Sequence, residues 1–138
     1  MDDMQFYIDH VTMKKSELFV MLALKVCEIC EVDYQLLIDG SKLQSVVDAR
    51  MLCVQYLRRI GLSNDDIAAI AYRLKHGSSP DEETIKRKAK GIDKMFMRYS
   101  DRCMQSYAFC LLSKTIKDWC HETYNDMYCV GMKPLPVK

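Results

Sequence analysis

From Gln44 to Ile60 the apolar positions fall along one side of a helix. Val46, Ala49, Cys53, Leu57 and Ile60 recur every three or four residues, and Met51, Val54 and Tyr56 widen the stripe. Gly61 follows, a residue free to take the positive φ that ends helices. Ser63 then reads as the N-cap of another helix, with Asp65 and Asp66 in its first turn and Ile67, Ala68, Ile70 and Ala71 directed inward. Tyr72–Ser79 reads as a turn containing Gly77. Ser79-Pro80 reads as the next N-cap, with proline at the first helical position, where its missing N–H costs nothing. Asp81, Glu82 and Glu83 come next, then a basic stretch to Lys90. After a mild interruption at Gly91 the helix is expected to continue through Ile92, Met95 and Phe96 to about Tyr99.

The flanks are also helical in pattern. Asp2–Val11 predicts a short first helix. Ser16 predicts the cap of a second, running to about Val32, whose residues Leu18–Leu24 leave almost no polar face. A helix that is apolar nearly all round is either central to the core or shared between subunits. The core is favoured, with a homodimer through Leu18–Leu24 as the second use. Tyr34–Ile38 extends or restarts this helix, and Asp39-Gly40-Ser41 breaks it. Ser100-Asp101 is expected to restart a last helix with Met104, Tyr107, Ala108, Leu111, Leu112, Ile116 and Trp119 on its apolar face. Residues 131–138 read as an extended tail after a single domain spanning 1–130. No strand pattern and no repeat is visible, so the fold class is all-α.

Charge changes this picture because it is unevenly placed. The net charge is +1 over 138 residues, but residues 1–40 hold three Lys against eight Asp/Glu, and residues 41–100 hold twelve Lys/Arg against seven Asp/Glu. The positive balance therefore sits on the Ser41–Lys90 stretch, where steering toward phosphate would want it.

The chemistry of common enzyme sites is missing. There is no GxxxxGK[ST] loop, no GxGxxG, no HExxH and no GxSxG, and His10, His76 and His121 stand apart from one another. No catalytic residue and no cofactor is predicted. Seven cysteines are scattered through helical segments. Cys27 and Cys30 share a helix face, a spacing that suits half a metal site, a redox pair or two core thiols. Closing a metal site would need Cys120, His121 or Cys129 from far along the chain, so core thiols are favoured and no metal is predicted. The acidic Met1–His10 stretch lacks the cationic start of an export signal, and Leu18–Leu24 is too short to span a membrane. The reducing cytoplasm is the expected compartment.

Ser45–Arg59, then Leu62-Ser63-Asn64-Asp65-Asp66-Ile67-Ala68, then Thr84-Ile85 with Arg87 and Lys90, together resemble the C-terminal DNA-binding domain of the replication initiator DnaA. That family has a Trp-repressor-like helix-turn-helix, and the resemblance spans about residues 41–92. Leu62–Ala68 is similar to its Leu-Ser-x-x-Glu-Ile-Gly motif, and Thr84-Ile85 to the start of its recognition helix. The family's Gly-Arg-Asp-His-Thr-Thr signature is not intact. Lys75-His76-Gly77-Ser78-Ser79 can be laid on it through His76, or Glu82 can take the histidine's place by aligning Thr84-Ile85. Either alignment requires a longer turn between the two helices. The ATPase module of an initiator is not in this chain.

The resemblance implies a non-enzymatic protein that binds double-stranded DNA. Lys86, Arg87 and Lys90 would meet phosphates or guanine edges, with Thr84 and His76 adding hydrogen bonds. Lys42 and Arg50 would position the unit on the backbone. Lys75, Ser78 and Ser79 would contact DNA at the start of the reading helix. The competing expectation is an all-helical protein-interaction module that kept the fold and lost DNA reading.

Overall fold

The computed structural model of the chain describes residues 14–128, with side chains as far as Tyr124. The helix expected at Asp2–Val11 and the tail expected at 131–138 lie outside them. Six α-helices occur among the described residues: α1 Lys15–Cys30, α2 Tyr34–Asp39, α3 Gln44–Arg59, α4 Asn64–His76, α5 Glu82–Gln105 and α6 Tyr107–Tyr128. No strand occurs among them, and the fold is all-α. None of these helices is long and apolar enough to cross a membrane.

α3 is the mast of the structure. It packs against every other helix, and all residues from Met51 to Leu57 are buried. Its expected stripe of Val46, Ala49, Cys53, Leu57 and Ile60 lies wholly in the core. Its end is a Schellman motif. Gly61 takes φ 111°, its N–H reaches Arg58 O at 3.2 Å, and the Leu62 N–H reaches Leu57 O at 3.0 Å.

α1 had looked like the all-round buried helix, but it buries one stripe. Leu18, Phe19, Leu22, Ala23, Val26 and Cys27 face the core, whereas Met21 and Leu24 are exposed. The run Leu18–Leu24 therefore belongs mainly to the core. Ser16 does not cap α1. Lys14 holds the N-cap position without a side-chain bond, and Ser16 lies within the first turn. α1 ends on Glu31 in the left-handed region.

Four expected boundaries in the second half move. Tyr72–His76 is helix, not turn. Tyr72 and His76 stack one turn apart at 4.2 Å, and Arg73, Lys75 and His76 suit the negative end of the α4 dipole. The next helix begins at Glu82 with Asp81, not Ser79, as its N-cap, since the Asp81 carboxylate accepts from the Thr84 N–H at 2.7 Å. Pro80 instead holds Ser79 outside the helix, because the residue before a proline avoids the helical region. Gly91 does not interrupt α5. Its propensity cost of about 1 kcal/mol is outweighed by the packing of Ala89, Ile92, Met95 and Phe96 on either side.

Nor does α5 break at Ser100-Asp101; it runs on to Gln105. The break falls at Ser106, whose hydroxyl accepts from the Phe109 N–H at 3.1 Å. Met104 accordingly belongs to α5, and Tyr107, Ala108 and Leu111 of α6 are exposed rather than packed. The buried line of α6 is Phe109, Ser113, Ile116, Cys120 and Tyr124.

Two polar connections fix α5 and α6 to α3. The Tyr56 hydroxyl donates to Ser113 O at 2.9 Å and bonds the Ser113 hydroxyl at 2.8 Å, and Tyr99 bonds the same hydroxyl. Arg102 grips Asp48 with two parallel bonds, each 2.9 Å.

Candidate nucleic-acid interface

The unit formed by α4, the link Gly77–Asp81 and α5 is built by caps. The Ser63 hydroxyl accepts from the Asp66 N–H, and the Asp66 carboxylate accepts from the Ser63 N–H, both at 3.1 Å. Gly77 stops α4 at φ 78°, with its N–H on Arg73 O at 2.8 Å. Five residues then lead to the first residue of α5. That link exceeds the three to four residues usual in a helix-turn-helix.

α5 lies on the molecule by one side. Ala89 is buried, and Ile85, Ile92, Met95, Phe96 and Tyr99 are half-buried on the same side. The Arg58 guanidinium stacks 4.3 Å from the Phe96 ring, and Asn64 donates to Asp93 at 3.3 Å. On the opposite side Arg87, Lys90, Lys94 and Arg98 are all exposed. Their spacings of three, four and four put them in one line. At 1.5 Å per residue that line is about 16 Å long. None of these four cations forms an ion pair among those found in the described residues. Glu83 and Asp101 bracket the line at its two ends.

The predicted DNA-contacting residues divide between two places. Lys86, Arg87 and Lys90 stand on the outer part of α5, although Lys86 is engaged by Glu82 at 3.4 Å. Lys94 and Arg98 extend that surface and were missed. Their i, i+3, i+4 relation to Arg87 was readable, but reading Gly91 as an interruption obscured it.

Arg50, Lys75 and His76 instead line a cleft of about 410 Å³ between α2, α3, α4 and α5, together with Lys88, which was also missed. Arg50 was expected to position DNA, and its geometry is different. Its Nη2 donates to Leu37 O at 3.2 Å and Ser41 O at 3.1 Å, tying the end of α2 to α3. Burial holds this half-buried guanidinium below its usual pKa. Lys75 places its ammonium 3.9 Å from where a Cβ on Gly40 would stand, and Lys88 lies 5.9 Å from the centre of the Tyr72 ring.

Lys42, Ser78 and Ser79 are exposed in the connections and belong to neither group, and Thr84 is half-buried in the first turn of α5. Ser79 lies two residues before the Asp81 cap, so it does not sit at the start of α5.

The cysteines in the described residues are free thiols, with Cys27, Cys53 and Cys120 buried and Cys30 partly so. Burial pushes Cys27 and Cys30 up to about 11 and Cys120 up to about 12. Thiols held protonated in this way are poor nucleophiles and poor ligands. No group of three or more His, Cys, Asp or Glu among the described residues could hold a metal ion.

No protein-family model, no curated protein and no solved structure matches this chain.

Proposed function

We propose that this chain is a non-enzymatic, cytoplasmic protein that binds double-stranded DNA through α4, its link and α5. On this reading it is a divergent helix-turn-helix related to the DNA-binding domain of the replication initiator. The line Arg87–Lys90–Lys94–Arg98 carries the reading. Four exposed cations without a salt bridge among the described residues, on the outer side of a helix, match a row of phosphates, and an α-helix fits the major groove. The contact surface is centred on the middle of α5 rather than at its start, because Asp81, Glu82 and Glu83 make the start acidic. Lys86 adds charge beside the line. His76, Lys42, Ser78 and Ser79 serve as phosphate or sugar contacts on the flanks.

The test is fluorescence anisotropy with a mixed-sequence duplex across a salt series. The expected result is binding that weakens steeply with salt. In R87A/K90A/K94A/R98A the log–log salt slope should flatten by about 3 to 4, since each lost phosphate contact removes about 0.9. Flat titrations at low salt would overturn the reading. Selection from a random duplex pool would then show whether an initiator-like box is enriched.

The alternative, a protein-interaction module, is favoured by exposed apolar side chains. Met104, 86% exposed, and Tyr107, 78%, flank the junction of α5 and α6, and Met97, 72%, lies two turns earlier on α5. Light scattering distinguishes self-association, through these side chains or through Met21 and Leu24, from a strict monomer.

A further inference from the structure

The cleft beside the interface has an unusual combination of walls. Leu57, Ala71, Ile92 and Met95 make its inner surface apolar. Every ionisable side chain on it other than a thiol or the Tyr72 phenol is a base: Arg50, Lys75, His76 and Lys88. No Asp or Glu lines it among the described residues. Arg50 is half-buried there, and its hydrogen bonds to Leu37 O and Ser41 O both come from Nη2. A guanidinium has five N–H donors in a planar fork that fits a carboxylate, and Nε and Nη1 are outside those bonds. A partly buried cation with no anionic partner costs stability, and a bound anion would offset that cost.

We infer that this cleft binds a small amphipathic carboxylate, an aliphatic acid of about ten carbons, in keeping with a cleft of the size that takes small ligands. The carboxylate sits on Arg50, with Lys75 and Lys88 around it. The chain lies along Ala71, Ile92 and Met95. The apolar walls disfavour a nucleotide, whose base and sugar would leave polar groups unmatched. The charge of the rim selects an acid over an alcohol or an amine. This inference does not rest on the DNA reading, and either can fail without the other.

Calorimetric titration of the full chain near neutral pH tests it, with decanoate below its micelle concentration and decanol and decylamine as head-group controls. Decanoate should bind saturably, one molecule per chain. Decanol should bind at least about tenfold more weakly, and decylamine should not bind. Arg50→Gln should loosen decanoate by about tenfold or more and leave decanol unchanged. Because Arg50 also holds the end of α2, a second variant is needed. Ala71→Leu fills the cleft without touching Arg50, and should abolish binding of both ligands while thermal melting confirms the fold. No saturable decanoate binding, equal binding of all three probes, or full decanoate binding by folded Ala71→Leu would each overturn the inference.

Discussion

From Met51 to Leu57 every residue of α3 is buried, whereas along the whole of α5 only Ala89 is. The two helices have adjoining walls, since α5 packs on α3 through Phe96, against Arg58, through Tyr99, against Tyr56, and through Arg102, against Asp48. Yet α3 gives both sides to the interior, and α5 gives one side to α3 and α4 and the other to solvent. The difference separates the part that holds the fold from the part that faces solvent. A residue exchanged in α3 is felt in the core, and a residue exchanged on the outer line of α5 is felt only by whatever binds there.

The sharpest way to break that division is Leu57→Ala. Leu57 is fully buried, and its truncation removes apolar contact and leaves a cavity. The expected cost is about 2–5 kcal/mol, measured by urea unfolding. Lys94→Ala on α5 should stay within about 0.5 kcal/mol of the parent. Equal costs at the two positions would show that α5 is not a free surface.

Next in size is Tyr56→Phe. It removes the hydroxyl that donates to Ser113 O and leaves the buried Ser113 group with fewer partners. The expected loss is about 1–3 kcal/mol. Tyr99→Phe, on the α5 side of the same network, should cost less because Tyr99 is only half-buried.

The same contrast explains what the sequence discloses. The α3 stripe, the Gly61 stop and the Ser63 cap were all legible, because each depends on residues within one or two turns. The interior rank of the helices was not. α1 is more apolar than α3, yet α3 is the one surrounded. Which helix is enclosed depends on how the others assemble, and α3 holds Gln55 and the Tyr56 hydroxyl inside by giving the latter a partner on α6. The end of α4 and the start of α5 were misplaced for a local reason. Ser79 and Asp81 are competing caps two positions apart, and the aspartate takes the Thr84 N–H. Reading Gly91 as a break hid half of the basic line, because packing on both sides overrides a single glycine. The inward turn of Arg50 had no signal at all in sequence, since its partners are backbone carbonyls on another helix and a loop.

α4 lies between the two extremes, and its cap offers a smaller and pH-dependent test. Burial opposes ionisation of Asp66, but the Ser63 N–H, the Lys15 ammonium at 3.0 Å and the Ser63 hydroxyl outweigh it, so the carboxyl is held below its usual pKa. A depressed folded-state pKa stabilises the fold above the unfolded carboxylate range and loses that contribution as pH falls through the folded value. Asp66→Asn should therefore cost about 0.3–1 kcal/mol near pH 6, the range for a carboxylate in the first turn of a helix. The gap to the parent should close as pH falls through the folded value, below the ordinary carboxylate range. A gap that persists undiminished in acid would assign the loss to packing rather than to charge.

The thiols compare α3 and α5 most finely. Burial pushes Cys53 of α3 well above the ordinary thiol range. Cys103 of α5 is only half-buried, and although burial raises it, a hydrogen bond with the Tyr99 hydroxyl acts in the opposite direction. In the folded chain, alkylation followed by mass spectrometry should therefore modify, among the cysteines of the described residues, the exposed Cys110 first and Cys103 next. Cys27, Cys53 and Cys120 should react only on unfolding. The raised values also fix a pH dependence. A thiol whose folded pKa is raised contributes stability that is complete below its unfolded value, about 8.5, and lost as pH rises through the folded value. With Cys27 and Cys30 at about 11 and Cys120 at about 12, the melting temperature should decline steadily from just above pH 8.5. Replacing Cys53 and Cys120 with alanine lowers the starting point by opening cavities, but should flatten that alkaline decline. Cys53 labelled as fast as Cys110 in the folded chain would mean that α3 is not enclosed, and the division between the two helices would fail at its buried end.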